Sequence, residues 1–159
     1  MDQIKSLREH LVKLLQGTGE AHADFDAAVK DMPSALQGKI PAGAEHSPWQ
    51  ELEHLRIAQW DILEFAISSK HKSPDFPSGY WPEKPQPPND KAWEKSAQAV
   101  RDDCKRFIKL VSDDGTDLFA KIPHGEGQTI LRQALTAADH NAYHLGQLVL
   151  LRRLLGAWH

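Results

Sequence analysis

Nine histidines in 159 residues, beside one cysteine and two methionines, make imidazole the group best placed to carry chemistry in this chain. Two of them, His140 and His144, lie in the run Asp139-His140-Asn141-Ala142-Tyr143-His144-Leu145-Gly146-Gln147. On a helix this spacing sets them ~6 Å apart along the axis and ~40° apart around it, on one face. Two imidazoles so placed can share one cation, which is why a His-x3-His pair recurs as a metal clip. Spacing alone decides little, because nine histidines scattered at random would give about 0.5 such pairs. The neighbours decide more. At ~100° per residue the same face carries Ala137, Leu148, Leu151 and Leu155, and a second face carries Leu131, Leu135, Ala138, Ala142, Leu145 and Val149. The clearly polar strip is only Arg132, Asp139 and Tyr143, so the two rings sit among leucines. A buried polar group without a partner costs about 1–3 kcal/mol. Two imidazoles on one apolar face therefore point to one shared partner, a role a cation fills. Gly146, in mid-helix, costs about 1 kcal/mol relative to alanine; close helix approach or space for a ligand would account for it.

A third ligand has to come from another part of the chain. His54 is the best candidate, because it lies within the helical tract Glu51-Leu52-Glu53-His54-Leu55-Arg56-Ile57 and flanks a stripe holding Ala58 and Phe65. The competing reading is a flank histidine half in water. Glu51 and Asp61 share the His54 side; either could orient a ligand from behind, although a solvated charge is the simpler reading. His10, His22, His46, His71, His124 and His159 occupy short, terminal, loop-like or polar contexts and are expected in solvent.

The elements that must position these rings are delimited by proline and glycine. A first helix is expected over Asp2 to Gln16, with Ile4, Leu7, Leu11, Leu14 and Leu15 at helical spacing and Gly17-Thr18-Gly19 as its stop. A second piece, Glu20 to Met32, reads as a continuation after a break. Ser47-Pro48-Trp49-Gln50 combines a capping hydroxyl, a proline at the first helical position and a glutamine three residues on, so a long helix starts there. Leu52, Leu55, Ala58, Ile62, Phe65 and Ala66 form its stripe, and it ends near Ser69. The next segment, KHKSPDFPSGYWPEKPQPPN, holds six of the ten prolines and reads as an extended, semi-rigid connection packed on the surface. In it, Tyr80 and Trp81 are candidates to border a pocket. Asn89 or Asp90 is expected to cap a third long helix, running to about Ser112 with Trp93, Ala97, Val100, Cys104, Phe107, Ile108 and Val111 as apolar positions. A fourth, capped by Thr129, runs to about Leu155. Trp60, Trp93 and Phe107 are expected in the core, and Cys104 as a buried small hydrophobe.

Four long helices without a convincing strand predict an all-α domain, residues 1–159, built as a four-helix bundle. Antiparallel neighbours need only about 2–8 linking residues. The proline-rich link could span a ~33 Å helix at ~3.1 Å per residue. The second and third helices are therefore expected to run parallel, joined by a crossover.

Composition excludes several classes. With 40% hydrophobic and 26% charged residues the chain is ordinary globular material, and a net charge of −3 offers no broad footprint for nucleic acid or acidic lipid. The apolar run Leu148 to Leu151 is far too short for a membrane span. The first residues, MDQIKSLREHLVKLL, lack a signal-peptide apolar region, and one cysteine permits no internal disulfide. A cytoplasmic protein is the expectation. Leu148 to Leu155 and Trp158 offer apolar groups on more sides than one core can cover, which predicts a homodimer through that end, unless the leucines pack on the proline-rich link.

SPWQELEHLRIAQWDILEF, the link with GYWP and, above all, ADHNAYHLGQLVLLRRLLGAW resemble the DinB-like superfamily of small bacterial helical proteins. The strongest match is the His-x3-His-x-Gly-Gln-Leu run, and the resemblance covers essentially the whole chain. It implies a four-helix bundle in up-down-down-up order, frequent dimers, and a metal held by one histidine of the second helix and two of the fourth. Those positions are His54, His140 and His144 here. Some members of the superfamily are transferases and isomerases that use a low-molecular-weight thiol such as bacillithiol or mycothiol.

Three neutral imidazoles leave an open position on a four-coordinate ion, as in catalytic sites. Imidazole suits several divalent metals; zinc or nickel is the expected ion. Such an ion can lower the pKa of water to about 7 or hold a thiol as thiolate. Three readings follow: a metal-dependent, thiol-using transferase acting on a small electrophile; a metal-dependent hydrolase, for which Glu51 and Asp61 are the nearby acid or base candidates; and a non-enzymatic bundle whose metal stabilises it or senses a ligand.

Overall fold

A computed structural model describes residues 3–17 and 21–158 of the chain. Its α-helices are α1 (Gln3–Gln16), α2 (Phe25–Val29), α3 (Ser34–Gln37), α4 (Pro48–Ile67), α5 (Ala92–Ser112) and α6 (Ile130–Leu154), with a 3₁₀ turn at Ser78–Tyr80. Among the described residues there is no strand, only an isolated bridge between Lys121 and Thr129. The long helices expected second, third and fourth are α4, α5 and α6. Asp2, Thr18, Gly19, Glu20 and His159 lie outside the described residues.

Local chemistry sets most boundaries. Gly17 ends α1 at φ +58°, a left-handed conformation that glycine adopts without a Cβ clash. The capping box at α4 forms as read: the Ser47 hydroxyl accepts from the Gln50 amide N–H, and the Gln50 side chain accepts from the Ser47 N–H. Thr129 caps α6 by accepting from the Arg132 N–H. Two expectations are corrected. The expected continuation of α1 over Glu20 to Met32 does not form among the described residues 21–32; Asp24 caps the five-residue α2 instead. Neither Asn89 nor Asp90 caps α5, which begins two residues later, because the Asn89 carboxamide closes a turn on the Lys91 N–H.

Side-chain pairs between helices give their directions. Glu53 meets Ser96, Gln59 meets Val100 and Glu64 meets Arg106, so α4 and α5 run parallel. Glu51 meets His144 and Gln59 meets Asn141, so α6 runs antiparallel to α4. Arg8 reaches Val111 and Leu15 reaches Cys104, so α1 runs antiparallel to α5. Parallel α4 and α5 require the chain to return along α4 before α5 starts. Residues 68–91 make that return, and contacts from Asp61 back to Ser47 pin them to α4.

Two apolar clusters fill the interior. One joins α2, α4, α5 and α6 through Val29, Leu52, Leu55, Trp93, Val100 and Leu148; the other joins α1, α4, α5 and α6 through Leu11, Leu63, Phe107, Val111 and Ala137. Leu63 has no exposure although the sequence stripe omitted it, whereas Ile4 and Leu14, expected inside, are exposed. Trp60 is half-buried with its ring edge-on to His71, and Cys104 is half-buried, its thiol donating to the Leu15 carbonyl. Leu148 packs in the apolar interior and Leu151 is buried, while Leu135, Tyr143, Leu150 and Leu154 form the exposed apolar side of α6. Gly146 faces open space; no neighbour approaches where its Cβ would be, so close helix packing does not explain it.

Candidate metal centre

His54 from α4 and His140 and His144 from α6 converge. The His54 Nε2 lies 3.1 Å from the Nε2 of His144 and 3.1 Å from the Nε2 of His140. One nitrogen from each of the three rings lies within 4.8 Å of the others. The antiparallel seam between α4 and α6 produces this meeting, since it brings position 54 opposite the turn holding 140 and 144. The solvated-flank reading of His54 is thereby overturned: its ring is buried against the facing helix.

The acceptors behind two of the rings set their tautomers. His54 donates its Nδ1–H to the Tyr80 carbonyl at 3.0 Å, an atom that can only accept. His144 donates its Nδ1–H to a carboxylate oxygen of Glu51 at 2.8 Å. Both Nε2 atoms are then bare acceptors in the neutral rings, facing each other. Two lone pairs at this separation repel unless a proton or a cation lies between them. For nitrogens ~2.0–2.1 Å from a tetrahedral ion, N···N separations of ~3.3–3.4 Å follow. The observed 3.1 Å needs only a few tenths of an ångström of adjustment to match, so the donor set fits a divalent metal.

The third ring is held differently. His140 Nδ1 is buried without a hydrogen bond of good geometry, although the adjacent Asn141 side chain favours its protonated form. Asn141 in turn donates to Gln59 at 2.6 Å, and Gln59 donates to the Val100 carbonyl at 2.8 Å. Burial, followed by the nearby His144 and His54, pushes the His140 pKa down to about 4. Burial also lowers His54, against the opposing pull of the Tyr80 carbonyl. Both rings are therefore neutral at pH 7, the form that ligates.

Glu51 and Asp61 are not solvated charges; each is 8% exposed. Glu51 backs His144 directly. Asp61 does not touch the three histidines. Its two carboxylate oxygens accept from His71 Nε2 and from the Tyr80 hydroxyl, each at 2.7 Å. Burial and Asp61 together raise the Tyr80 pKa to about 12, so the phenol stays protonated and donates.

The proline-rich segment, expected as a surface connection, covers this centre. Trp81 stacks on the His54 ring at 3.8 Å with planes 4° apart, and His46 meets the indole edge-on at 3.9 Å. Tyr143 packs edge-on against His144 at 4.9 Å. His71, expected in solvent, is tucked in on Asp61, and His46 is half-buried, whereas His10, His22 and His124 are exposed. Reading the sequence missed His46 and His71 because their partners lie far away in the chain; the signal for the indole was its place beside Tyr80 in the link. An apolar cavity of about 860 Å³, lined by Leu15, Leu55, Val100, Ile108 and Leu145, includes none of the three histidines.

A helical chain with one histidine on one long helix and two on another, meeting behind a proline-rich cover, defines a class of helical proteins with a candidate metal centre. The sequence profile of the DinB superfamily matches residues 18–148, which include all three histidines, and the chain belongs to that superfamily. No curated protein and no solved structure matches the chain. Superfamily membership and the three-histidine cluster are compatible with metal binding.

Proposed function

We propose that His54, His140 and His144 hold one divalent ion, zinc or nickel, and that the protein is a metal-dependent transferase joining a low-molecular-weight thiol to a small electrophile. The observation that carries the metal reading is the convergence of three Nε2 atoms, two of them with tautomers set by acceptors behind the rings. A bound divalent ion would supply Lewis acidity, lowering the pKa of a thiol or water at its remaining position. The chain's own residues then divide the work. Glu51 and the Tyr80 carbonyl orient two rings, burial keeps His54 and His140 neutral, and Trp81 covers the His54 ring.

Engagement of the carboxylates favours thiol transfer over hydrolysis. A hydrolase needs a free acid or base beside the metal, yet Glu51 is committed to His144 and Asp61 to His71 and Tyr80. A thiol bound to such an ion would release its proton to solvent and attack as thiolate, with no carboxylate base required beside it. The registers between helices support a four-helix bundle of α1, α4, α5 and α6 in up-down-down-up order. The exposed leucines of α6 support a homodimer through that helix, and a cytoplasmic setting is part of the proposal; among the described residues no helix is long and apolar enough to cross a membrane.

The test is to load the protein with zinc or nickel and incubate it with a panel of thiols plus a generic electrophile, and separately with esters. Thiol-dependent consumption of the electrophile, lost in His54→Ala, is the expected result. Ester cleavage alone would favour the hydrolase; silence on both panels would favour a ligand-sensing or structural metal.

A further inference from the structure

The proline-rich segment is tied to the centre by a chain of contacts that starts at Asp61, two helical turns from His54 on α4. One carboxylate gathers both ends of the segment's first half: His71 donates to one oxygen and the Tyr80 hydroxyl to the other. Tyr80 then presents its carbonyl to His54 Nδ1, and the next residue lays its indole on the same ring. Beyond it, the Gln50 amide donates to the Pro82 carbonyl at 3.0 Å and the Ser47 hydroxyl to the Pro85 carbonyl at 2.6 Å. A ligand ring is thus oriented by a segment that is not part of its own helix or of the helix facing it.

We propose that residues 68–91 form a strap whose seating on α4 is thermodynamically coupled to metal occupancy, with Asp61 as the positioning residue that acts on His54 through Tyr80. This rests on the metal reading above. When the strap lifts, His54 loses its Nδ1 acceptor and its stacked indole, and the ring is free to turn its Nε2 away from His140 and His144. When an ion holds that Nε2, the ring presents Nδ1–H to the Tyr80 carbonyl in a fixed direction. Coupling of this kind is reciprocal: the factor by which the seated strap tightens metal binding is the factor by which metal closes the strap. Partners behind a ligating histidine are typically worth about 10–100-fold in metal affinity.

Lys70 and Lys72 are exposed on either side of His71, which the bond to Asp61 holds down; a protease needs several residues of free backbone, so cleavage at these lysines speeds up as the open population grows. The experiment measures tryptic cleavage at these sites with and without zinc, and zinc affinity by chelator competition. It compares wild type, Tyr80→Phe, Asp61→Asn and His140→Ala, each checked for helical content by circular dichroism. In wild type, zinc is expected to slow cleavage about 10-fold or more. Tyr80→Phe keeps the carbonyl and loses the phenol's bond to Asp61 together with its interaction with Ser73, itself part of the strap; it is expected to be cut faster without zinc and to bind zinc about 10-fold more weakly. Asp61→Asn, which keeps one acceptor oxygen, is expected to move both readouts in the same directions. His140→Ala, whose ring the strap does not touch, should lose zinc protection while its metal-free cleavage stays at the wild-type rate. Faster cleavage with unchanged zinc affinity in both strap variants would reduce Asp61 to a merely structural anchor and overturn the coupling. Zinc binding to wild type without protection would overturn it as well, leaving the metal reading intact. Failure of wild type to bind zinc or nickel would bring down the metal reading itself.

Discussion

Replacing Glu51 by glutamine changes one atom behind the centre, and its effect can be worked out from the structure. The carboxylate accepts from His144 Nδ1 at 2.8 Å, and both side chains are about nine-tenths buried. A hydrogen bond to a charged group is worth about 1.5–3 kcal/mol, more than a neutral one. At about 1.4 kcal/mol per decade this is about a 10–100-fold loss of metal affinity, the range found for other groups that back a ligating histidine. Glutamine keeps the volume and one acceptor oxygen, so Glu51→Gln belongs near the lower end. Glu51→Ala removes the acceptor and leaves His144 Nδ1–H unpaired, so it belongs near the upper end. Competition against a chromophoric chelator at pH 7 gives the affinities. A second measurement makes the reasoning strict. If Glu51 acts through His144, then in a His144→Ala background Glu51→Gln should have no further effect on affinity, a double-mutant cycle with a coupling energy equal to the single-mutant loss. Equal affinities for wild type, Glu51→Gln and Glu51→Ala would refute the reasoning. So would full additivity in the cycle.

The metal-free protein should lose stability as pH falls from about 6.5 toward 4. His140 has a folded pKa lowered to about 4, so over that window the unfolded chain binds more protons; the loss is at most about 3 kcal/mol, read from urea midpoints at several pH values. Zinc affinity should fall with pH toward the same limit, since a protonated ring cannot ligate, and affinity that stayed constant between pH 8 and 4 would contradict imidazole ligation. Gly146→Ala should raise thermal stability by up to about 1 kcal/mol, because the residue is mid-helix and its Cβ would meet nothing; a loss would reveal a contact made by a second copy. Arg152→Met should cost about 3 kcal/mol or more in denaturant unfolding. The buried guanidinium donates to the carbonyls of Ala28, Lys30 and Ala157, and methionine would leave them unsatisfied.

How much was legible beforehand depended on the range of the interaction. The Ser47 capping box, the Thr129 cap and the proline at the first turn of α4 are bonds within a few residues, and they could be read from spacing. The His-x3-His pair also follows from helical geometry alone, and the crossover followed from the reach of a proline-rich link. Asn89 misled because its side chain can serve either a cap or a turn, and only the surrounding packing selects between them. The apolar breadth of α6 was legible as composition, but which leucines face the core and which remain exposed depends on the neighbours.

By itself the sequence determined that this chain is helical, where α4 and α6 start, and which pair of imidazoles on α6 had the spacing and setting to share a partner. Only the tertiary structure decided that Glu51 stands behind His144, that Asp61 grips His71 and Tyr80 instead of a ligand, and that the proline-rich link returns along α4 to lay Trp81 on His54. The physical reason is that a carboxylate's partner is chosen by whichever donor the packed backbone brings within about 3 Å. Those donors come from positions 10 to 93 residues away, a separation at which periodicity along the chain carries no information.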